Sequence, residues 1–207
     1  MLPSYLERGN SSLVYMCQDF VSISKHQESG FYLDQLDTLA RQLEQLEASK
    51  TPTILIGVAY ALLDLANAYP MQLSHTRVVE TGGMKGRKKE ITRDELHGML
   101  RKGFGVPQIQ SEYGMTELLS QAYSMMDGKF ETPPWMKVQI RDVRDPLSQA
   151  RTGKSGGINI IDLANLYSCS FIAAEDIGKI NADGTFEVLG RTDTSEMRGC
   201  SLMVADL

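Results

Sequence analysis

Leucines at 33, 36, 39, 43 and 46 recur at the three-and-four spacing of an amphipathic helix and predict one over Tyr32–Leu46. Asp34 and Asp37, early in that stretch, complement the positive end of the helix dipole. Pro52 breaks the pattern, and Thr53–Ile56 reads as a strand entering Gly57. Val58–Ala68 is rich in alanine and leucine, which predicts a buried helix stopped near Pro70. The alternation then repeats. Thr76–Glu80 is a strand feeding the loop TGGMKGRKKE, and Thr92 with Glu95 has capping-box spacing ahead of a helix over Arg93–Lys102 ending at Gly103. Val106–Gln110 reads as a strand and Met115–Met126 as a helix; Leu13–Met16, after the turn-rich Gly9–Ser12, reads as a short strand.

Short strands alternating with helices of ten or more residues imply parallel pairing through crossover connections. The expected fold class is therefore α/β, with a doubly wound, mostly parallel lobe over residues 1–128. After Asp127-Gly128 the period changes from helical to alternating. PPWMKVQIRDV (133–143), Ser155–Asp162 and Phe171–Ala174 read as strands, and KINADGTFEVLGR (179–191) as a hairpin turning at Asp183-Gly184. A smaller β-rich part over residues 129–207 is expected.

Composition narrows the function classes more than it selects one. The 207 residues carry a net charge of −5, with 42% hydrophobic and 23% charged positions, as ordinary globular proteins do. An acidic balance offers no general attraction for nucleic acid or an anionic membrane surface, so neither is expected as a partner. Cys17, Cys169 and Cys200 lack the spacing of a zinc site or disulfide framework. With no apolar run of membrane-spanning length and no signal-peptide pattern at the start, the expected location is cytoplasmic.

Ligands of open α/β sheets sit beyond the carboxyl ends of the strands. Three loops are placed there: Gly57 onward, Thr81–Lys89 and Ser111–Glu117. In the second, Gly82, Gly83 and Gly86 alternate with Lys85, Arg87, Lys88 and Lys89, a mixture suited to phosphate or carboxylate. A solvated basic loop is the competing reading. In the third, SEYGMTELL, Tyr113 suits stacking on a base and Gly114 lets the chain turn. Thr116, in the first turn of the expected helix, suits a phosphate. Glu117 or Glu112 suits a magnesium ion, which prefers oxygen ligands. Here a helix cap beside a core tyrosine competes evenly. Lys154-Ser155-Gly156-Gly157 lacks the phosphate-loop spacing, and His26, His75 and His97 show no partner spacing, so these are given no role.

Two segments in order carry a resemblance. SEYGMTE resembles the Tyr-Gly-x-Thr-Glu motif of the adenylate-forming, acyl-CoA synthetase-like enzymes, and AAEDIGKINADGTFEVLGRTD (173–193) is similar to their later motif, an aspartate followed after a hairpin by Gly-Arg-x-Asp. TGGMKGR, EYGMTEL and LGRTDTSEMRGCSL resemble more closely the acyl-protein synthetases of bacterial-luminescence fatty-acid reductases. The resemblance covers nearly the whole chain but only about the second half of that family's usual length. It implies the N-terminal-domain fold of adenylate-forming enzymes, with ATP and Mg2+ as cofactors. By the same resemblance Tyr113 and the adjoining Gly114 meet adenine, Thr116 the α-phosphate, Glu117 magnesium, Asp176 the ribose, and Arg191 helps position the nucleotide. Gly82 and Gly83 would lie along the adenylate or acyl group, with Lys85 and Arg87 nearby. Cys200 would accept the acyl group as a thioester.

The implied function is activation of a carboxylic acid, most simply a fatty acid, as acyl-AMP, then transfer to Cys200 and delivery to an acyl-protein reductase partner. Two alternatives stay open: a phenylacetate-CoA ligase-like enzyme with coenzyme A as acceptor, and a non-catalytic nucleotide-binding remnant. Nothing in Met1–Leu55 resembles the family's Ser/Thr/Gly-rich phosphate loop. The chain is therefore expected to be a C-terminal portion, weak or inactive alone: either only that portion is encoded, or a separate chain supplies the N-terminal half.

Overall fold

The computed structural model describes residues 1–2, 11–33, 35–82 and 91–191. It divides into two compact units, Met1–Glu112 and Tyr113–Leu207.

In the first unit, strands β1 (Thr53–Val58), β2 (Thr76–Thr81) and β3 (Gln110–Tyr113) run parallel in the order β1-β2-β3. Helices α1 (Ser12–Ser24), α2 (Leu36–Ala48), α3 (Ala59–Ala68) and α4 (Arg93–Phe104) supply the rest. α2 buries Leu39, Ala40 and Leu43 in one stripe, as its leucine spacing requires. α3 is buried nearly all round, and its alanines let neighbours approach closely: a Cβ on Gly103 of α4 would lie 2.6 Å from that of Ala66. The capping box forms as its spacing predicts. Glu95 N–H donates to Thr92 Oγ1 at 3.2 Å, and Thr92 N–H donates to the Glu95 carboxylate at 2.9 Å. α4 runs past Gly103 and stops at Gly105, whose φ of +61° is a left-handed cap.

The second unit is an antiparallel sheet ordered β4 (Ala122–Ser124), β5 (Lys129–Glu131), β9 (Phe186–Arg191), β8 (Phe171–Ile180), β7 (Gly156–Asp162) and β6 (Met136–Arg141). β6 alternates buried Met136, Val138 and Ile140 with more exposed partners, the half-buried pattern of an antiparallel strand. Phe130, Phe186, Ile158 and Ile160 centre its core. The β8–β9 hairpin turns where Asp183-Gly184 places it, with Gly184 at φ +86° and Asp183 Oδ1 accepting from Thr185 N–H at 3.0 Å.

Three expected elements differ. Leu13–Met16 is helical, inside α1: Ser11 caps it by accepting from Val14 N–H at 3.4 Å, and Leu13, Met16 and Cys17 face the core at helical spacing. The third strand starts at Gln110 rather than Val106, because Pro107 has no N–H to give to a ladder. Met115–Met126 is not a helix but a turn followed by β4. The amides of Leu119 and Ser120, which a helix would spend on its own carbonyls, donate instead to Oδ2 of the buried Asp162, at 3.0 and 2.9 Å.

Candidate nucleotide site residues

At the carboxyl end of β2 in the first unit, Thr81 is followed by Gly82, whose φ of +65° belongs to the left-handed region that glycine enters without strain. Thr81 pairs in register with Glu112 on β3, and its hydroxyl donates to the Glu112 carboxylate. Burial, partly offset by that hydrogen bond, pushes the Glu112 carboxyl above its ordinary pKa. Glu112, weighed beside Glu117 as a magnesium ligand, is half-buried and spends a carboxylate oxygen on the Thr81 hydroxyl. One register step back, Glu80 pairs with Ser111. His97 of α4 brings its Nε2 to 3.6 Å from Glu80 Oε1 and 3.4 Å from Ser111 Oγ. All three are buried. His97 lies on the stripe of α4 that buries Leu96 and Leu100, so its inward direction was present in the sequence as helical spacing.

In the second unit, residues from distant parts of the chain meet. The Tyr113 hydroxyl donates to Asp176 Oδ2 at 2.7 Å. Arg191 brings Nε to 3.5 Å from Asp176 Oδ1 and Nη2 to 3.3 Å from Glu175 Oε2. Asp176 and Arg191 are register partners on β8 and β9, which is why one hairpin holds them together. Beneath the tyrosine, Phe130 and Phe186 pack edge-on with ring centroids at 5.9 and 5.6 Å. Burial, with Asp176's charge and hydrogen bond, drives the Tyr113 phenol pKa strongly upward, so it remains a donor at all working pH values.

Gly114, Thr116 and Glu117 are exposed, the latter two in a turn held by Leu118 N–H donating to Met115 O at 3.1 Å. Thr116 therefore sits at no helix N-terminus, and what it offers a phosphate is its hydroxyl and turn backbone. Asn165 anchors the turn by donating from Nδ2 to Glu117 O at 2.5 Å. Among the described residues no group of three or more His, Cys, Asp or Glu is arranged for a metal. One exposed carboxylate, Glu117, fits the way magnesium is commonly held, by one or two carboxylates plus substrate phosphates. Gly83, Lys85, Arg87 and Cys200 lie outside the described residues. No helix among the described residues is long and apolar enough to cross a membrane.

This mixed fold is shared with part of the adenylate-forming synthetases. ATP-bound MatB from Rhodopseudomonas palustris superposes with a TM-score of 0.58 at 17% identity, over 78% of this chain and 34% of that one. A benzoate CoA ligase from Burkholderia xenovorans LB400 gives 0.54 at 16% identity, over 82% and 36%. O-succinylbenzoate coenzyme A synthetase (MenE) from Bacillus subtilis in complex with AMP gives 0.53 at 18% identity, over 77% and 34%. The chain spans about a third of the length of these proteins. No curated protein matches it. The model of the acyl-protein synthetase LuxE family matches residues 9–207, and the chain belongs to that family.

Proposed function

We propose that this chain carries the adenine- and ribose-binding part of an ATP-dependent synthetase that activates a carboxylic acid, most simply a fatty acid, as acyl-AMP and passes it to a cysteine. The observation that carries the reading is the Tyr113–Asp176–Arg191 cluster. Three residues 63 and 15 positions apart converge within hydrogen-bonding and ion-pair range, and the family resemblance gives all three to the nucleotide. Tyr113 presents a flat ring on a phenylalanine base, Asp176 a carboxylate suited to ribose hydroxyls, and Arg191 a guanidinium that holds Asp176 in place.

In the first half-reaction a carboxylate oxygen of the acid bonds to the α-phosphorus, and pyrophosphate leaves. Thr116 would steady the α-phosphate through its hydroxyl, and Glu117 would hold magnesium, which neutralises charge on the transferring group. In the second, the Cys200 thiolate bonds to the acyl carbon and AMP leaves with the former ester oxygen. The thioester then goes to an acyl-protein reductase. The chain spans about a third of the synthetases it resembles, and an N-terminal half, on the same polypeptide or a separate one, would complete the phosphate side.

Acid-dependent exchange of pyrophosphate into ATP by the complete enzyme is the test. Tyr113→Ala and Glu117→Ala are expected to lower it by at least tenfold, the scale on which loss of one transition-state contact acts. Exchange unchanged by both substitutions refutes the assignment. Labelled acid should become protein-bound and hydroxylamine-sensitive, and Cys200→Ser should remove that label while sparing exchange. Release of free acyl-CoA from a Cys200→Ser enzyme would instead make coenzyme A the acceptor.

A further inference from the structure

The 163–170 segment that joins β7 to β8 inverts the ordinary order of burial. Leu166 and Tyr167 are 72% and 99% exposed, while Asn165 beside them is 4% exposed. An amide side chain carries donors and an acceptor together, so it is buried where both ends find partners. Asn165 has both. Its Oδ1 accepts from the Ser168 hydroxyl, a local bond that shapes the segment itself. Its Nδ2 donates to Glu117 O at 2.5 Å, 48 positions back along the chain.

That second bond completes the hold on one particular peptide, the one joining Glu117 to Leu118. Its N–H, on Leu118, donates to Met115 O at 3.1 Å, and its C=O accepts from Asn165. A peptide is planar, so bonds on its two opposite edges fix its tilt. The buried Leu118 side chain pins the following residue, and Asp162 takes the amides of Leu119 and Ser120. Thr116 and Glu117 nonetheless keep their side chains exposed. A fixed backbone carrying open polar side chains is what a group that meets a ligand requires.

We propose that Asn165 is a positioning residue for Glu117 as a magnesium ligand: by holding the Glu117 carbonyl it sets where the carboxylate of the same residue stands. The inference rests on the nucleotide reading above, in which Glu117 would hold magnesium. Asn165 acts through the Glu117 peptide and touches neither metal nor nucleotide. Outer partners of this kind orient metal ligands, and their loss commonly lowers metal affinity by about 10- to 100-fold. Tyr113, Asp176 and Arg191 are held separately, by the β8–β9 register and by the Phe130 and Phe186 rings.

The test separates metal from nucleoside in the full chain. Mn2+ shares magnesium's octahedral oxygen preference and stands in for it, because its spectrum reports binding. Affinity for Mn2+·ATP is read by electron paramagnetic resonance and affinity for metal-free AMP by calorimetry, with urea unfolding alongside. Asn165→Leu removes the donor at similar size, and Asn165→Asp keeps an acceptor for Ser168 without the donor. Ile158→Val loosens the buried core of the same unit and leaves the Asn165 bond in place. Both Asn165 variants are expected to bind Mn2+·ATP about tenfold more weakly, with AMP affinity within about threefold of wild type. Ile158→Val should lower the unfolding midpoint and leave Mn2+·ATP affinity as it was. Mn2+·ATP affinity unchanged in both Asn165 variants overturns the proposal. So does an equal loss for both ligands, or a matching loss in Ile158→Val, the signature of a merely structural role. If one Asn165 variant does not fold, the other decides by the same readouts. A wild-type chain that binds no AMP overturns the nucleotide reading and this inference with it. One that binds AMP but gains no affinity from Mn2+ overturns the metal role of Glu117 and the inference built on it, leaving the adenosine reading in place.

Discussion

Replacing Asp162 with alanine should cost the second unit several kilocalories while leaving the first unchanged. Asp162 is fully buried at the end of β7, and its two oxygens accept four hydrogen bonds. Oδ2 takes Leu119 N–H and Ser120 N–H at 3.0 and 2.9 Å; Oδ1 takes Ser120 Oγ and Ala164 N–H at 2.7 and 3.1 Å. Leu119 is exposed, and its amide turns to water once the carboxylate is gone. Ser120 is buried, so its amide and hydroxyl lose their acceptor outright. Each buried donor left unpaired costs about 1–3 kcal/mol, against which the desolvation cost of the carboxylate itself is recovered. A net loss of about 3–5 kcal/mol follows for Asp162→Ala, the usual range when one side of a buried charged arrangement is removed. Asp162→Asn keeps one acceptor and aims an amide N–H at donors, so about 1–3 kcal/mol is expected. The assay is urea unfolding read by Trp135, the only tryptophan in the chain, whose indole N–H donates to Ser120 Oγ at 2.9 Å. With a urea slope of about 2 kcal/mol/M, the alanine variant's midpoint should fall by about 2 M. A fall worth less than 1 kcal/mol, or an asparagine variant as damaged as the alanine one, refutes the reasoning. Such a result would mean that packing, and not this carboxylate, holds Met115–Ser120 out of a helix.

Two further predictions concern the first unit. Gly105→Ala forces a side chain into φ +61° with its Cβ 2.1 Å from Gln72 Oε1. A loss of about 1–3 kcal/mol, read as a lower melting temperature, is expected, because strain at a left-handed site adds to the displacement of Gln72. Glu112→Gln should change how stability depends on pH. The folded-state pKa of Glu112 lies above an ordinary glutamate's 4.5. Between the two values the folded chain therefore holds more protons than the unfolded one, and stability is lost as pH rises through the folded pKa. The glutamine variant lacks that slope, so its advantage over wild type should grow from pH 4.5 upward; equal pH profiles refute the burial argument.

What the sequence made legible follows from how local each signal is. α2, α3, α4 and the strands β1 and β2 rest on periodicity and caps within ten or so residues, and Thr92 with Glu95 fixes its helix start by itself; the third parallel strand lies beyond the stretch read for it, past Pro107. The hairpin was equally local, since Asp183 and Gly184 make their own turn. Leu13–Met16 failed because four apolar-rich residues fit either period, and only the continuation through Cys17 to Val21 shows helical spacing. Met115–Met126 failed for a different reason. Its apolar spacing is helical, but the competing acceptor, Asp162, is 42 residues beyond Ser120. Of the candidate site, Tyr113, Asp176 and Arg191 were nameable through family motifs, and their convergence is a matter of β8–β9 register. The Glu80–His97–Ser111 contact was not named, because a histidine on a helix stripe reads as core until its strand partners are known.

The lost helix changes the chemistry assigned to the Tyr113–Glu117 stretch. A helix beginning at Met115 would have offered a phosphate several converging amides and a positive dipole end. A single turn offers Thr116 a hydroxyl and few amides, with Glu117 beside it adding negative charge. Such a turn binds a triphosphate only where cations offset the glutamate, and magnesium on Glu117, as proposed above, would be one such cation. The stretch is therefore better suited to the adenosine end of ATP than to its phosphates. AMP, rather than ATP, is therefore the ligand by which the proposed roles of these residues should first be judged.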